Sequence, residues 1–251
     1  ARVKLTKGKR HFFLCMAGLS IRICWKFSFM HTSEKASNID FFIQYFYTHF
    51  ELANDKSEVV EVWLDEFDAS IENWDFQSGA KLLAALRKLS LSSDATALVY
   101  MATGEIQTQQ GNFEEAIRSY TRALQVADSP TQQEIKFRIL NRFAASLASQ
   151  QNYEEAEKYY QAAIFLATTL NRSYLIAQSF FNLAILFDEQ GKWKDAIQTY
   201  KNSLAKLNSE EDKDNIARVH NNLGILYEKQ GHLHEAEKYF YQCLDLLDEL
   251  G

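Results

Sequence analysis

The chain has 251 residues, of which 47% are hydrophobic, and its net charge of −6 argues against nucleic acid as the main partner. The composition is ordinary for a soluble globular protein. The three cysteines, Cys15, Cys24 and Cys243, show neither metal-ligand spacing nor a disulfide framework, which favours a reducing compartment and predicts a cytoplasmic protein.

Residues 1–57 are the part of the chain whose structure the sequence leaves open. Apolar and polar residues alternate from Leu19 to Phe29, as in a half-buried strand, and Ala17-Gly18 would allow a β-hairpin. The basic flank and the apolar run of about ten residues after it also fit a signal sequence or a membrane anchor, although that run is too short to span a bilayer. A third interpretation is that Met30 is the natural start.

The end of this segment is rich in aromatic residues. Ile39, Phe42, Phe46 and Phe50 share one face of a predicted helix over residues 37–52. We interpret this helix as a cap that packs on the helices after it. The alternative is that its aromatic residues form a docking surface.

The remaining chain repeats one pattern, two amphipathic helices joined by a tight turn. Apolar residues at spacings of three, four and seven indicate helices rather than strands. The four clear copies begin at Met101, Asn141, Phe181 and Asn221, 40 residues apart. A weaker copy occupies residues 58–90. Each clear copy has one small residue where its two helices would approach closely: Ala116, Ala156, Ala196 and Ala236.

The pattern resembles the tetratricopeptide repeat. The residues that carry the resemblance are Gly104, Gly111, Ala116, Tyr120 and Ala123; Ala144, Leu147, Tyr153, Ala156, Tyr160 and Ala163; Leu183, Ala184, Phe187, Gly191, Ala196 and Tyr200; and Leu223, Gly224, Tyr227, Gly231, Ala236 and Phe240. The usual period is about 34 residues. The longer period is similar to that of kinesin light chain and of peptide-sensing bacterial regulators, and it implies longer helices or longer links.

The resemblance implies an all-α, right-handed superhelical array of helix-turn-helix repeats over residues 58–251, after the uncertain segment 1–57. We expect a degenerate repeat at 58–90 and further repeats at about 93–128, 130–169, 172–208 and 212–250. Ser129 before Pro130 predicts a capped helix start. Asn112 with Glu115, and Asn152 with Glu155, have the spacing of a capping box.

Residues able to perform chemistry are hard to find in this sequence. It contains no Gly-rich phosphate loop and no His-Glu-x-x-His spacing. His232 and His234 lie two apart at a turn, without the further ligands that a metal site needs. We therefore predict a protein that is not an enzyme and has no metal or cofactor.

In the family that the repeats resemble, the first helix of each pair lines a concave groove through positions two, five, six and nine. The last three copies then supply Arg138, Asn141, Arg142 and Ala145; Gln178, Phe181, Asn182 and Ile185; and Arg218, Asn221, Asn222 and Ile225. The first copy supplies Leu98, Met101, Ala102 and Glu105. Asparagine at position six resembles a clamp on a peptide backbone or carboxylate, since its amide both donates and accepts hydrogen bonds. The alternative is that Asn182 and Asn222 bridge neighbouring helices.

The sequence thus predicts a protein-interaction module that binds an extended peptide or a partner protein, with three arginines favouring an acidic or C-terminal segment. The alternative is a regulatory or sensor segment of a larger multidomain protein. We expect no nucleic acid and no membrane as partner. Because Phe240, Leu244, Leu247 and Leu250 make the last helix apolar without a capping helix after it, we also expect that the chain continues past Gly251 or that this end self-associates.

Overall fold

The protein is described here by a computed structural model that covers residues 91–250 and Leu83. The predicted hairpin, the aromatic helix and almost all of the degenerate repeat lie outside the described residues. Within them, the prediction of an all-α solenoid is confirmed. The helices are α1 (Ser93–Gln109), α2 (Phe113–Val126), α3 (Gln133–Ser149), α4 (Tyr153–Thr169), α5 (Ser173–Glu189), α6 (Trp193–Leu204), α7 (Lys213–Lys229) and α8 (Leu233–Leu250).

The 40-residue period arises from long first helices combined with variable second helices and links. The first helices α1, α3, α5 and α7 each have 17 residues and begin 40 residues apart. Of the second helices, α4 has 17 residues and is followed by the short link 170–172, whereas α6 has 12 residues and is followed by the longer link 205–212. The period is therefore constant although the helix lengths are not.

Each turn from a first helix to its second helix contains one residue with positive φ. These residues are Gly111, Gln151, Gly191 and Gly231. The residue after it donates its backbone N–H to a carbonyl near the end of the first helix, as in His232 to Tyr227 at 2.9 Å. This is the usual way in which a left-handed residue ends a helix, and it directs the chain back along the helix just completed.

The helix starts confirm one predicted cap and contradict two. Ser129 forms a capping box with Gln132. Asn112 and Asn152 make no side-chain cap hydrogen bond, so the capping boxes predicted there are wrong. Their ψ angles of 65° and 64° differ from the extended value of 146° at Ser129, because each asparagine follows the positive-φ residue of the turn. An extended backbone is what usually places a capping oxygen over the first N–H groups.

The two helices of a pair pack closely through small residues. Ala116, Ala156 and Ala196 are fully buried. At Gly224, an added Cβ would lie 2.6 Å from the ring of Phe240, so that ring packs directly on the helix backbone. Within residues 91–250, no helix is long and apolar enough to cross a bilayer.

Candidate functional site

A stripe of side chains on α3, and another on α5, faces the side where successive pairs form a groove. The stripe follows the i, i+4, i+7, i+11 spacing of one helical face. The stripes of α3 and α5 enclose a hollow of about 460 Å³, which we call the central hollow. Its lining from the two stripes is Arg138, Arg142, Ala145 and Ser149 on α3, and Gln178, Asn182, Ile185 and Glu189 on α5. Small residues on α3 leave this space open.

The walls of the central hollow carry charges of both signs. The Arg142 guanidinium donates to Glu105 Oε1 at 2.8 Å, and this carboxylate belongs to α1. Glu189 lines the same hollow from α5. Of the arginines predicted here, Arg142 is thus neutralised within the protein, so the central hollow is less basic than the arginine count suggested.

Two of the predicted groove asparagines join α3 to α5. Asn141 is buried, and its amide donates to the Phe137 carbonyl at 3.1 Å. Its Oδ1 accepts hydrogen bonds from Ser179 at 3.2 Å and from Asn182 at 3.3 Å. Both asparagines line the central hollow, but their first role is to connect neighbouring helices.

A second hollow, of about 440 Å³, lies between α5, α7 and α8, and we call it the slot. It is lined by Phe181, Ile185, Ala217, Arg218, Asn221, Asn222, Cys243 and Leu247. Two side-chain contacts bridge α5 and α7, one from the middle of α5 and one at the C-terminal ends of both helices. The Arg218 guanidinium lies 4.9 Å from the centroid of the Phe181 ring, and Lys229 donates to Asp188 at 2.8 Å.

Asn222 connects the wall of the slot to the core below it. Its amide donates to the Tyr200 hydroxyl at 3.0 Å. Burial raises the pKa of Tyr200 well above its usual value, because the low-dielectric core disfavours the phenolate. Tyr200 therefore stays neutral, and its ring packs edge-on against Phe181 at 5.6 Å between centroids.

The remaining predicted residues fall in different places. Gln178 is exposed and lines both the central hollow and a small cavity of about 80 Å³ that connects it with Phe181 and Arg218 at the edge of the slot. Ile225 is exposed on α7 but does not line these hollows. In the first copy, Leu98, Met101 and Ala102 are buried in the core, so the open groove begins at α3.

Sequence reasoning missed several contributors to these hollows, among them Glu189, Cys243 and Leu247. Glu189 lies four residues after Ile185 on the same stripe, so extending the count by one turn would have found it. Cys243 and Leu247 lie on a second helix, and counting positions on first helices alone omits them. Among residues 91–250, no group of three or more His, Cys, Asp or Glu residues is arranged to hold a metal ion.

Comparisons with known proteins agree with this architecture. Family models described as tetratricopeptide repeat match residues 99–134, 136–209 and 217–246. The structure of BtubC (BKLC) from P. vanneervenii is similar with a TM-score of 0.65 and 18% identity, covering 85% of this chain and 92% of that one. No curated protein matched the sequence.

Two other solved structures show the same fold at low identity. The apo form of RapI has a TM-score of 0.61 and 16% identity, and the likeness covers 82% of this chain and 59% of that one. MamA from Desulfovibrio magneticus RS-1 has a TM-score of 0.52 and 14% identity, covering 78% of this chain and 97% of that one. All three structures support the helical array.

Proposed function

The chain belongs to the tetratricopeptide-repeat family, whose repeats are protein-interaction modules and typically not enzymes, and we propose that it binds an extended segment of a partner protein across its first helices. The observation that carries this proposal is the series of open hollows from α3 to α8. The small cavity beside Gln178 and Asn182 joins the central hollow to the residues at the edge of the slot.

The polar residues of the groove are able to form hydrogen bonds with the backbone of an extended peptide ligand. Gln178 is exposed and has no hydrogen-bond partner among the described residues. Its amide offers two donors and an acceptor, as a peptide backbone requires. Packed helices lie roughly 8–10 Å apart and an extended chain rises about 3.3 Å per residue, so a segment of about six residues reaches from α3 to α7.

The arginines of the groove favour an acidic or C-terminal segment as the ligand. Arg138 contributes to the central hollow, and Arg218 contributes to the slot. Arg142 already pairs with Glu105. We therefore expect Arg142 to contribute less to the preference for an acidic ligand than the sequence alone predicted.

The test is to fill the groove with a bulky side chain. We would select binders from a random-peptide library displayed with free C-termini, and measure them by calorimetry against Gln178→Trp. We expect at least a tenfold loss of affinity with an unchanged melting temperature, because Gln178 is exposed and its replacement leaves no buried group unsatisfied.

The matched control is Gln125→Trp, an exposed glutamine near the end of α2 that lines none of the hollows described above. It should bind the selected peptides as the native chain does. If Gln178→Trp bound the peptides as tightly as Gln125→Trp, the peptides would bind outside the groove, and the proposed binding site would be wrong. Failure to select any peptide would contradict peptide binding itself.

A further inference from the structure

The last described helix exposes an apolar residue at a position that an earlier second helix buries. On α4, Ala163 and Ala167 are fully buried in a cluster that includes Ile176 of the following pair. The equivalent of Ala167 two repeats later is Leu247 on α8, which is 45% exposed. Leu244, about one turn before it, is 53% exposed. α8 therefore presents an apolar surface of the kind that a further segment covers in the earlier repeats.

Carboxylates flank this apolar surface. Four exposed residues of α8 follow the i, i+4, i+7, i+11 spacing of one helical face, which we call the outer face of α8: Glu237, Tyr241, Leu244 and Asp248. Among the described residues, neither Glu237 nor Asp248 forms a salt bridge. The whole helix carries five carboxylates and one lysine. A segment that covers the outer face should therefore be basic as well as apolar.

The chain itself contains a segment with this chemistry. Residues 1–30, which lie outside the described residues, hold seven Lys or Arg residues and no Asp or Glu. Five of these cations precede residue 11, and an apolar run over residues 12–16 follows them. Since the net charge of the whole chain is −6, the rest of the chain is strongly acidic. Residues 1–30 thus complement the outer face of α8 in both charge and apolar character.

We propose that the outer face of α8 binds residues 1–30 of a second copy of the chain. The repeats of a solenoid contact mainly their neighbours. In chain order, residues 1–30 precede the whole array, whereas α8 is its last described helix. The pairing therefore joins separate copies head to tail. Because the two paired surfaces differ, each added copy leaves one of them free, and further copies can add.

Charge reversal on each side of the contact tests the pairing in the full chain. The face variant, Glu237→Lys with Asp248→Lys, reverses the charge of the outer face. The segment variant, Lys7→Glu with Lys9→Glu and Arg10→Glu, reverses the basic segment. Each variant alone should associate at least tenfold more weakly than the native chain, because like charges then replace an attractive pairing. Sedimentation velocity over a range of concentrations measures this association.

An equimolar mixture of the two variants identifies which surfaces pair. The face variant keeps the native basic segment, and the segment variant keeps the native outer face. Mixing them therefore restores one native contact between two different chains. The mixture should regain the native association affinity to within about threefold, although neither variant associates alone.

Matched controls separate this contact from a general effect of net charge. Glu115→Lys with Asp195→Lys changes the net charge as the face variant does, at exposed positions on α2 and α6. Three exposed lysines around α6 provide the control for the segment variant, as Lys192→Glu with Lys194→Glu and Lys206→Glu. Both controls should associate as the native chain does. Thermal melts followed by circular dichroism should show that all four variants remain folded.

Salt gives a readout that needs no substitution. Raising the NaCl concentration from about 50 mM to about 500 mM should weaken association of the native chain about tenfold, because salt screens exposed charges. A segment variant that associates as the native chain does would overturn the proposal, since α8 would then pair with another surface, such as α8 of a second copy. A mixture without recovery, a face variant with native association, association that is insensitive to salt, or a native chain that stays monomeric would overturn it as well.

Discussion

At the scale of single residues, the asparagines of the groove show how packing decides between two roles. Asn182 bonds to Asn141 on the preceding first helix, and Asn222 bonds to Tyr200 on α6. Each of these contacts uses one amide N–H, while the side chain has a second N–H and an acceptor oxygen. The two roles that the sequence left open, peptide clamp and helix bridge, are therefore compatible, but the bridge also contributes to stability.

We predict that Asn222→Ala destabilises the protein. It removes the only hydrogen bond that the Tyr200 hydroxyl makes to a described residue, and an unsatisfied buried polar group costs about 1–3 kcal/mol. Chemical denaturation of Asn222→Ala, Tyr200→Phe and the double variant would give the coupling energy directly. We expect a coupling of about 1 kcal/mol.

The control for this cycle is Asn221→Ala. Asn221 is exposed and lines the slot beside Asn222, but has no hydrogen-bond partner among the described residues. Its replacement should leave the free energy of unfolding within about 0.5 kcal/mol of the native value. A coupling energy of zero between Asn222 and Tyr200 would contradict the bridge and leave ligand contact as the role of Asn222.

At the scale of helices and turns, one turn of the array departs from the others. Gly111, Gly191 and Gly231 have positive φ angles of 71–76°, whereas the equivalent residue of the second described repeat is Gln151, at φ 61°. A side chain in this conformation brings Cβ close to the following carbonyl, which costs roughly 1–2 kcal/mol. Glycine avoids that contact but adds about 0.4–1 kcal/mol of unfolded-state entropy.

The balance of these two effects predicts that Gln151→Gly stabilises the protein by about 0.5–1 kcal/mol. Thermal denaturation should show a rise of roughly 1–4 °C for a chain of this size. Gln151→Ala keeps the Cβ and should give no gain. Gly191→Ala introduces the same strain at the next turn and should lower stability by about 1 kcal/mol. A gain from Gln151→Ala equal to that from Gln151→Gly would show that backbone strain is not the cause.

At the scale of the whole molecule, the features that could be predicted from the sequence are those that recur in every repeat. Four copies in register identify the helix pairs, and counting along each first helix finds most of the residues that line the central hollow. The ion pair between Arg142 and Glu105 was not found, because it depends on how far one first helix lies from the next. The slot was not found for a similar reason, since Cys243 and Leu247 reach it from a second helix.

The last described helix allows a prediction about association of whole chains. Leu124, Ile164 and Leu204 precede Leu244 at 40-residue intervals, and all three pack on core clusters that include residues of the following pair. Leu244 is 53% exposed, so α8 presents this apolar position uncovered, and Tyr241, one turn before it, adds another apolar side chain that is 59% exposed. We predict that this side self-associates, because neighbouring repeats normally cover it.

Light scattering over a range of concentrations tests this prediction. The native chain should increase in mean mass as concentration rises, and Tyr241→Ser with Leu244→Glu should remain monomeric. The control is Phe165→Ser, which removes an apolar side chain that is 73% exposed on α4, away from this helix, and it should associate as the native chain does. A native chain that stays monomeric throughout would contradict self-association. Equal loss of association in the double variant and in Phe165→Ser would show that exposed apolar area in general, rather than the uncovered side of α8, drives the contact.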